Sequence, residues 1–265
     1  MSFLDYFSGH SDLYRSARPT YPDELFAWIA SHAPGRERVW DCATGNGQAA
    51  AGLARHFEMV LATDASARQL ANAVQVSNVT YSLQPAENTH FPDNYFDAVC
   101  VAQALHWFDH DRFYPEVHRV LRPGGIFAAW VYSEVFVHSM IDPILQEWII
   151  TVIAPYWSPQ NVHSHNGYRD LPFPFEPVEA PRFAICVDWN LPQLMAFIET
   201  WSATQKLISE QGTGFLELAA TEIAEQWGDP ASLRRVEMPI ALRLGRIGGQ
   251  GPGGRDQGNP IFPVR

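Results

Sequence analysis

Apolar positions along the first half of the chain alternate between two rhythms. Leu25, Trp28 and Ile29 stand at helical spacing and predict a helix over residues 23–32, closed by Pro34 and Gly35. A short apolar strand over 38–41 runs into a turn with glycines at 45 and 47, and the alanine-rich stretch 48–56 reads as a helix. The pattern then repeats: strand 59–63, helix 66–76, strand 79–83, an almost continuous apolar strand 96–102, helix 111–121 stopping before Pro123, and strand 126–132. Unbroken apolar strands alternating with helices indicate a parallel sheet covered on both faces. The expected fold class is therefore α/β, a doubly wound and mostly parallel sheet.

From residue 139 to 228 the rhythm changes. Longer helical stretches, 140–153 and 192–210, flank a proline-rich loop at 156–181, and this region is expected to supply a lid or the walls of a substrate pocket. Two further strands, 182–189 and 236–244, would complete a seven-stranded sheet as antiparallel edges. The expected organisation is one domain over 1–245, followed by a glycine-rich tail at 246–265 that lacks apolar periodicity and is expected to be mobile.

Composition narrows the classes of partner. With 46% apolar and 18% charged residues the chain can bury a core, and its net charge of −11 argues against a partner held through clustered phosphate contacts, nucleic acid or an anionic membrane. Lys206 is the only lysine. Cys42, Cys100 and Cys186 are isolated, which suits a reducing compartment. The first nine residues lack a basic start followed by an apolar run, and the longest apolar region, near 144–153, is far short of the roughly 20 residues of a membrane span. The expected location is cytoplasmic. His106 with His110, and His163 with His165, lack a convergent third ligand type, so no metal is expected.

The segment VWDCATGNGQAA, residues 39–50, carries the candidate chemistry. Gly45 and Gly47 between a strand and its helix let backbone N–H groups approach a ligand closely. Asp64, at the end of the second strand, stands where a carboxylate can accept hydrogen bonds from two ribose hydroxyls, which points to an adenosine-containing ligand. Gly45 to Ala50 also fits the G-x-G-x-x-G/A dinucleotide pattern, so a nicotinamide-dependent oxidoreductase is an alternative, as is a noncatalytic cofactor-binding module. Asp41 weighs against a pyrophosphate, which it would repel, and in favour of a cationic ligand such as S-adenosylmethionine.

At these residues the chain resembles the class I S-adenosylmethionine-dependent methyltransferases. Asp41, Ala43, Gly45 and Gly47 occupy the pattern of the family's first motif, with Ala43 in place of its first glycine. Asp64 matches the ribose acid, Pro85-Ala86-Glu87 precedes FPDNYFDAV (91–99), and LRPGG (121–125) precedes a strand. The resemblance implies the Rossmann-like methyltransferase fold, S-adenosylmethionine as cofactor, Ala86 and Glu87 flanking the adenine, and Gln103 starting a loop against the cofactor. YRSARPTYP (14–22) and QALHWFD (103–109) are similar to a small-molecule group that includes trans-aconitate methyltransferases. The function this implies is in-line methyl transfer to a small-molecule acceptor, with a carboxylic acid among the candidate classes.

Such a displacement depends on alignment and needs no acid at the leaving group. A carboxylate acceptor needs orienting cations, and Arg15 and Arg18 are the candidates. A nitrogen or hydroxyl acceptor needs a base, and His106, after the fourth strand, is the candidate catalytic residue, with a loop-holding histidine as the alternative. Trp107, Tyr14 and Tyr21 are candidate substrate-side aromatics, with simple packing as the competing reading.

Overall fold

A computed structural model describes residues 18–248. Tyr14 and Arg15, and residues 249–265 of the expected tail, lie outside the described residues.

The alternation predicted from the sequence is present. Helix α1 (Asp23–His32) leads into β1 (Arg38–Cys42), α2 (Gln48–Leu53), β2 (Met59–Asp64), α3 (Ala67–Ala71), β3 (Val79–Leu83) and β4 (Phe96–Ala102). A 3₁₀ turn (Leu105–Trp107), α4 (His110–Val120) and β5 (Leu121–Val131) complete this part. Strands β1 to β5 pair in parallel in the order β3-β2-β1-β4-β5. Neighbouring residues on a strand face opposite cores, as the pleat requires. Val39, Ala98 and Ala128 join one cluster with Leu25, Phe26 and Leu53, while Trp40, Val99 and Ala129 join another with Phe113 and Val117. Both faces are thus buried, which is why the strands read as unbroken apolar runs.

Among the described residues the sheet has eight strands where the sequence predicted seven. Strand β8 (Arg234–Arg246) runs antiparallel to β5, and β6 (Glu176–Val178) and β7 (Phe183–Trp189) both pair with it. Strand β6 is the unpredicted one. Its central Pro177 lies within the proline-rich segment, and proline is tolerated here because β6 ends the sheet path.

Several of the helical segments between β5 and β8 line a cavity together with residues that follow β4 and β5. The predicted helix 140–153 is divided into α5 (Asp142–Leu145), a π turn (Gln146–Ile150) and α6 (Thr151–Ile153). Then come α7 (Asn161–His165), α8 (Leu191–Glu199), α9 (Ser202–Gln211) and α10 (Gly214–Trp227). The predicted helix 192–210 breaks between α8 and α9, where Trp201 takes extended backbone and Thr200 turns its hydroxyl onto the Phe197 carbonyl. Among the described residues no helix is long and apolar enough to cross a membrane, and no His, Cys, Asp or Glu group is arranged to hold a metal.

Candidate active site

The glycine turn after β1 is fastened from beneath by two carboxylates. Asp64 accepts the Gly45 amide on Oδ2 and the Ser66 amide on Oδ1, both at 2.8 Å, and so couples the turn to the end of β2. Lone pairs remain on both oxygens for a ligand's hydroxyls. Asp41 is fully buried, and its Oδ2 accepts the Thr44 hydroxyl at 2.5 Å. Its Oδ1 is buried without a hydrogen-bond partner. Burial, reinforced by the charge of Asp64, pushes the Asp41 carboxyl up to about 7 despite the Thr44 hydrogen bond. Burial also raises Asp64, against the pull of the Ser66 and Gly45 amides.

Above this turn lies a cavity of about 450 Å³. Ala43, Gly45, Asn46 and Asp64 form its floor, Ala86 and Glu87 one wall, and Gln103 and Trp107 another. Glu87 is fixed by accepting the Asp109 amide at 3.2 Å, and Gln103 by donating Nε2 to the Tyr132 carbonyl at 3.2 Å. Ala43 and Gln103 end the two central strands with φ of 55° and 59°, a left-handed conformation that costs about 1–3 kcal/mol for a residue with a Cβ. Strain of this kind collects where backbone must be aimed at a ligand.

A larger cavity of about 920 Å³ adjoins the first, and Arg18, Asn46, Gln69, Gln103, Trp107 and Tyr132 line both. His106 lines the larger cavity, where Tyr168 Oη and Ser164 Oγ each lie 3.1 Å from its Nδ1. Burial, and then the proximity of His163 and His165, lower its pKa to about 3, so its ring is neutral throughout the physiological range. Tyr168 is a further left-handed residue, at φ 62°.

Two connected cavities at the carboxyl ends of a parallel sheet, the smaller one floored by a glycine turn, invite comparison with known proteins. A family model described as a methyltransferase domain matches residues 40–129. A Dictyostelium discoideum protein named as a methyltransferase is 31% identical over 204 residues, 76% of this chain and 78% of that protein. This chain belongs to the methyltransferase family. A solved structure described as a type II methyltransferase, from Anaeromyxobacter dehalogenans, is 41% identical with a TM-score of 0.82, covering 86% of this chain and 97% of that one. An uncharacterized Mycobacterium tuberculosis methyltransferase is 39% identical over 113 residues, 42% of this chain and 46% of that protein. The protein is accordingly a methyltransferase of class I architecture and an enzyme, which sets aside the nicotinamide-dependent oxidoreductase as its family.

Within the methyltransferase, the expected donor-side residues Ala43, Gly45, Asp64, Ala86, Glu87 and Gln103 gather around the smaller cavity. Asp41 and Gly47 are buried and are not part of its lining. Arg18 and Trp107 stand where the cavities meet, and Tyr21 lines the smaller one while packing edge-on against Phe26 and Trp130. Sequence reasoning missed Thr44, Asn46, Ser164 and Tyr168. The glycine turn offered a signal for the first two, whereas nothing in HNGYRD marked Tyr168 as the partner of a histidine 62 positions earlier. Gly47 has φ 83°, and a Cβ there would sit 2.3 Å from Tyr81 Oη, which donates to the Val74 carbonyl. Gly47→Ala is expected to cost about 1–3 kcal/mol through the left-handed backbone and the displaced tyrosine, measured as a drop in thermal midpoint.

Proposed function

We propose that this methyltransferase uses S-adenosylmethionine as donor and methylates a small-molecule acceptor bound in the larger cavity. The observation that carries this reading is the charge around the smaller cavity: Asp64, Glu87 and Asp109 in its lining and Asp41 buried beneath its turn, against Arg18 as the one cation among the described lining residues. A diphosphate would meet repulsion there, whereas an ammonium and a sulfonium would be drawn in. The orphaned Asp41 oxygen and the free lone pairs of Asp64 suit the cationic end and the ribose of this donor respectively. When bound, the donor supplies an electrophilic methyl group. The chain's own part is to fix the donor on Asp64 and the glycine turn, to bring the acceptor past Gln103 and Trp107, and to exclude water.

For the acceptor, Arg18 at the junction is the residue that would pair a carboxylate, while Arg15 lies outside the described residues. His106 is the proposed proton acceptor for a hydroxyl. A cytoplasmic setting is part of the same reading, supported by Cys42 and Cys100 standing free in the core with thiols that burial raises well above their ordinary range.

Calorimetry with S-adenosylhomocysteine and with NADPH tests the donor, and binding of NADPH alone would overturn the proposal. Asp64→Ala is expected to weaken S-adenosylhomocysteine binding by about 1.5–3 kcal/mol, because a carboxylate acceptor is lost and two loop amides are left uncapped. An unchanged dissociation constant would remove Asp64 from the site.

A further inference from the structure

The larger cavity also constrains what enters it. We propose that it takes an uncharged, largely apolar acceptor that presents a hydroxyl to His106. This inference rests on the methyltransferase reading above and concerns the other substrate.

Three observations carry it. The body of the cavity is walled by Leu145, Ile149, Trp157, Phe197, Ile198 and Trp201, an apolar surface brought together by the segments between β5 and β8. Among the described residues its charged groups cancel: Arg18 and Lys206 against Glu134 and Asp142. Nor do they converge, because Lys206 is exposed and held over the Tyr156 ring, with 5.9 Å to its centroid, while Asp142 Oδ1 already accepts the Val137 and His138 amides. An ionised acceptor seated against the apolar walls would lose its hydration, which is strongly unfavourable, and a carboxylate would have to stay at the junction of the two cavities to meet Arg18.

The third observation is the polar corner facing Trp107 and Gln103. His106, Ser164 and Asn161 meet there, and the Asn161 side-chain oxygen is buried without a hydrogen-bond partner. His165 lines the same corner, and burial lowers its pKa as it lowers that of His106, so the corner offers neutral hydrogen-bonding groups. With Nδ1 engaged by Tyr168 and Ser164, Nε2 is the His106 nitrogen left for the ligand. Donation from Nδ1–H to Tyr168 Oη gives Nε2 a lone pair, which can accept the acceptor's hydroxyl.

The step balances with these groups. A lone pair on the hydroxyl oxygen forms the new O–CH₃ bond as the C–S bond breaks, and the breaking pair stays on sulfur as a neutral thioether. The proton of the alkylated oxygen, now strongly acidic, passes to His106 Nε2 and then to solvent. Even a weakly basic imidazole suffices for a proton that acidic.

Three probes sharing one ring system separate the alternatives: 2-naphthol, 2-naphthoate and 2-naphthylmethylammonium, titrated at pH 7.5 into the chain saturated with S-adenosylhomocysteine. The naphthol is expected to bind at least tenfold more tightly than either ion, and labelled S-adenosylmethionine to yield 2-methoxynaphthalene. Trp157→Ala is expected to weaken naphthol binding at least fivefold while leaving S-adenosylhomocysteine affinity within twofold. Tighter binding of the naphthoate would assign the cavity to carboxylates, tighter binding of the ammonium would assign it to amines, and equal or undetectable binding of all three would overturn the inference as well. The unmodified chain alone decides this comparison, whatever the folding of the variant. Failure to bind S-adenosylhomocysteine would instead remove the donor reading, so the two failures are distinguishable.

Discussion

At pH 8, Asp41→Asn is expected to melt several degrees above the unmodified chain and to bind S-adenosylmethionine more weakly. The folded chain holds the Asp41 proton up to a pH of about 7, whereas an ordinary aspartate releases it near 3.8. Between those values the native state binds more protons than the unfolded state, so stability falls as pH rises from about 4 to about 7 and then levels off. The ionised form thus forfeits on the order of 4 kcal/mol at pH 8, an upper figure for what the substitution can recover. Asparagine keeps an oxygen for Thr44 but places an unpartnered amide where Oδ1 now stands, which costs about 1–3 kcal/mol. A net gain of about 1–3 kcal/mol corresponds to roughly 2–10 °C for a chain of this size.

Donor binding has the opposite sign. If the donor's ammonium is drawn toward the Asp41 carboxylate, that attraction would be worth about 1–3 kcal/mol in a partly screened interior, and affinity should fall about fivefold or more in the variant. In the unmodified chain the same cation favours ionised Asp41, and affinity should therefore decline as pH drops from 7.5 to 5.5, with proton release on binding. The variant should show a flatter profile by calorimetry. A variant no more stable at pH 8, or a donor constant with the same pH dependence as before, would show that Asp41 is not the ionising group under the turn.

How much of this was legible depended on how local the cause was. Helix α1 and strand β3 fall at the predicted residues, because clear breakers flank each apolar pattern. The donor side was equally legible, since one glycine turn and the ends of adjacent strands fix it. Helix α3 was overestimated: the predicted helix ran to residue 76, but Val74 gives its amide to the Asn46 carbonyl, a contact with the glycine turn that no local pattern encodes. Helix α10 was given no range from the sequence, although Leu216, Ala219, Ile223 and Trp227 form a buried stripe at helical spacing. The larger cavity was the least legible part. Its walls come from five helical segments and from Trp201, which is both buried and cavity-lining in the fold. The neutrality of His106 was invisible for the same reason, since it comes from burial and from two histidines distant in sequence.

The two motifs distal to the glycine turn acquire a physical role at the opposite end of the sheet, and the largest expected loss of stability lies there. Asp97 of FPDNYFDAV is 1% exposed at the start of β4. Its Oδ2 accepts the Glu37 and Arg38 amides, each at 2.9 Å, and its Oδ1 pairs with Arg122 of LRPGG at 2.8 Å. Arg122 continues to Glu37 Oε2 at 2.8 Å, so one carboxylate holds together the entry to β1, the start of β4 and the first residues of β5. Asp97→Ala leaves two backbone amides without their acceptor and the Arg122 guanidinium with Glu37 as its remaining carboxylate. Breaking such a pair from one side typically costs about 3–5 kcal/mol, or roughly 6–20 °C in thermal midpoint. Because the donor cavity opens at the carboxyl ends of these strands, S-adenosylhomocysteine affinity of the folded variant should stay within about twofold. A double-mutant cycle with Arg122→Met isolates the pair from the amide contacts, since Asp97→Ala in that background loses only the latter. A cost below about 1 kcal/mol for Asp97→Ala would mean that water replaces the carboxylate and that the strand entries hold by their ladders alone.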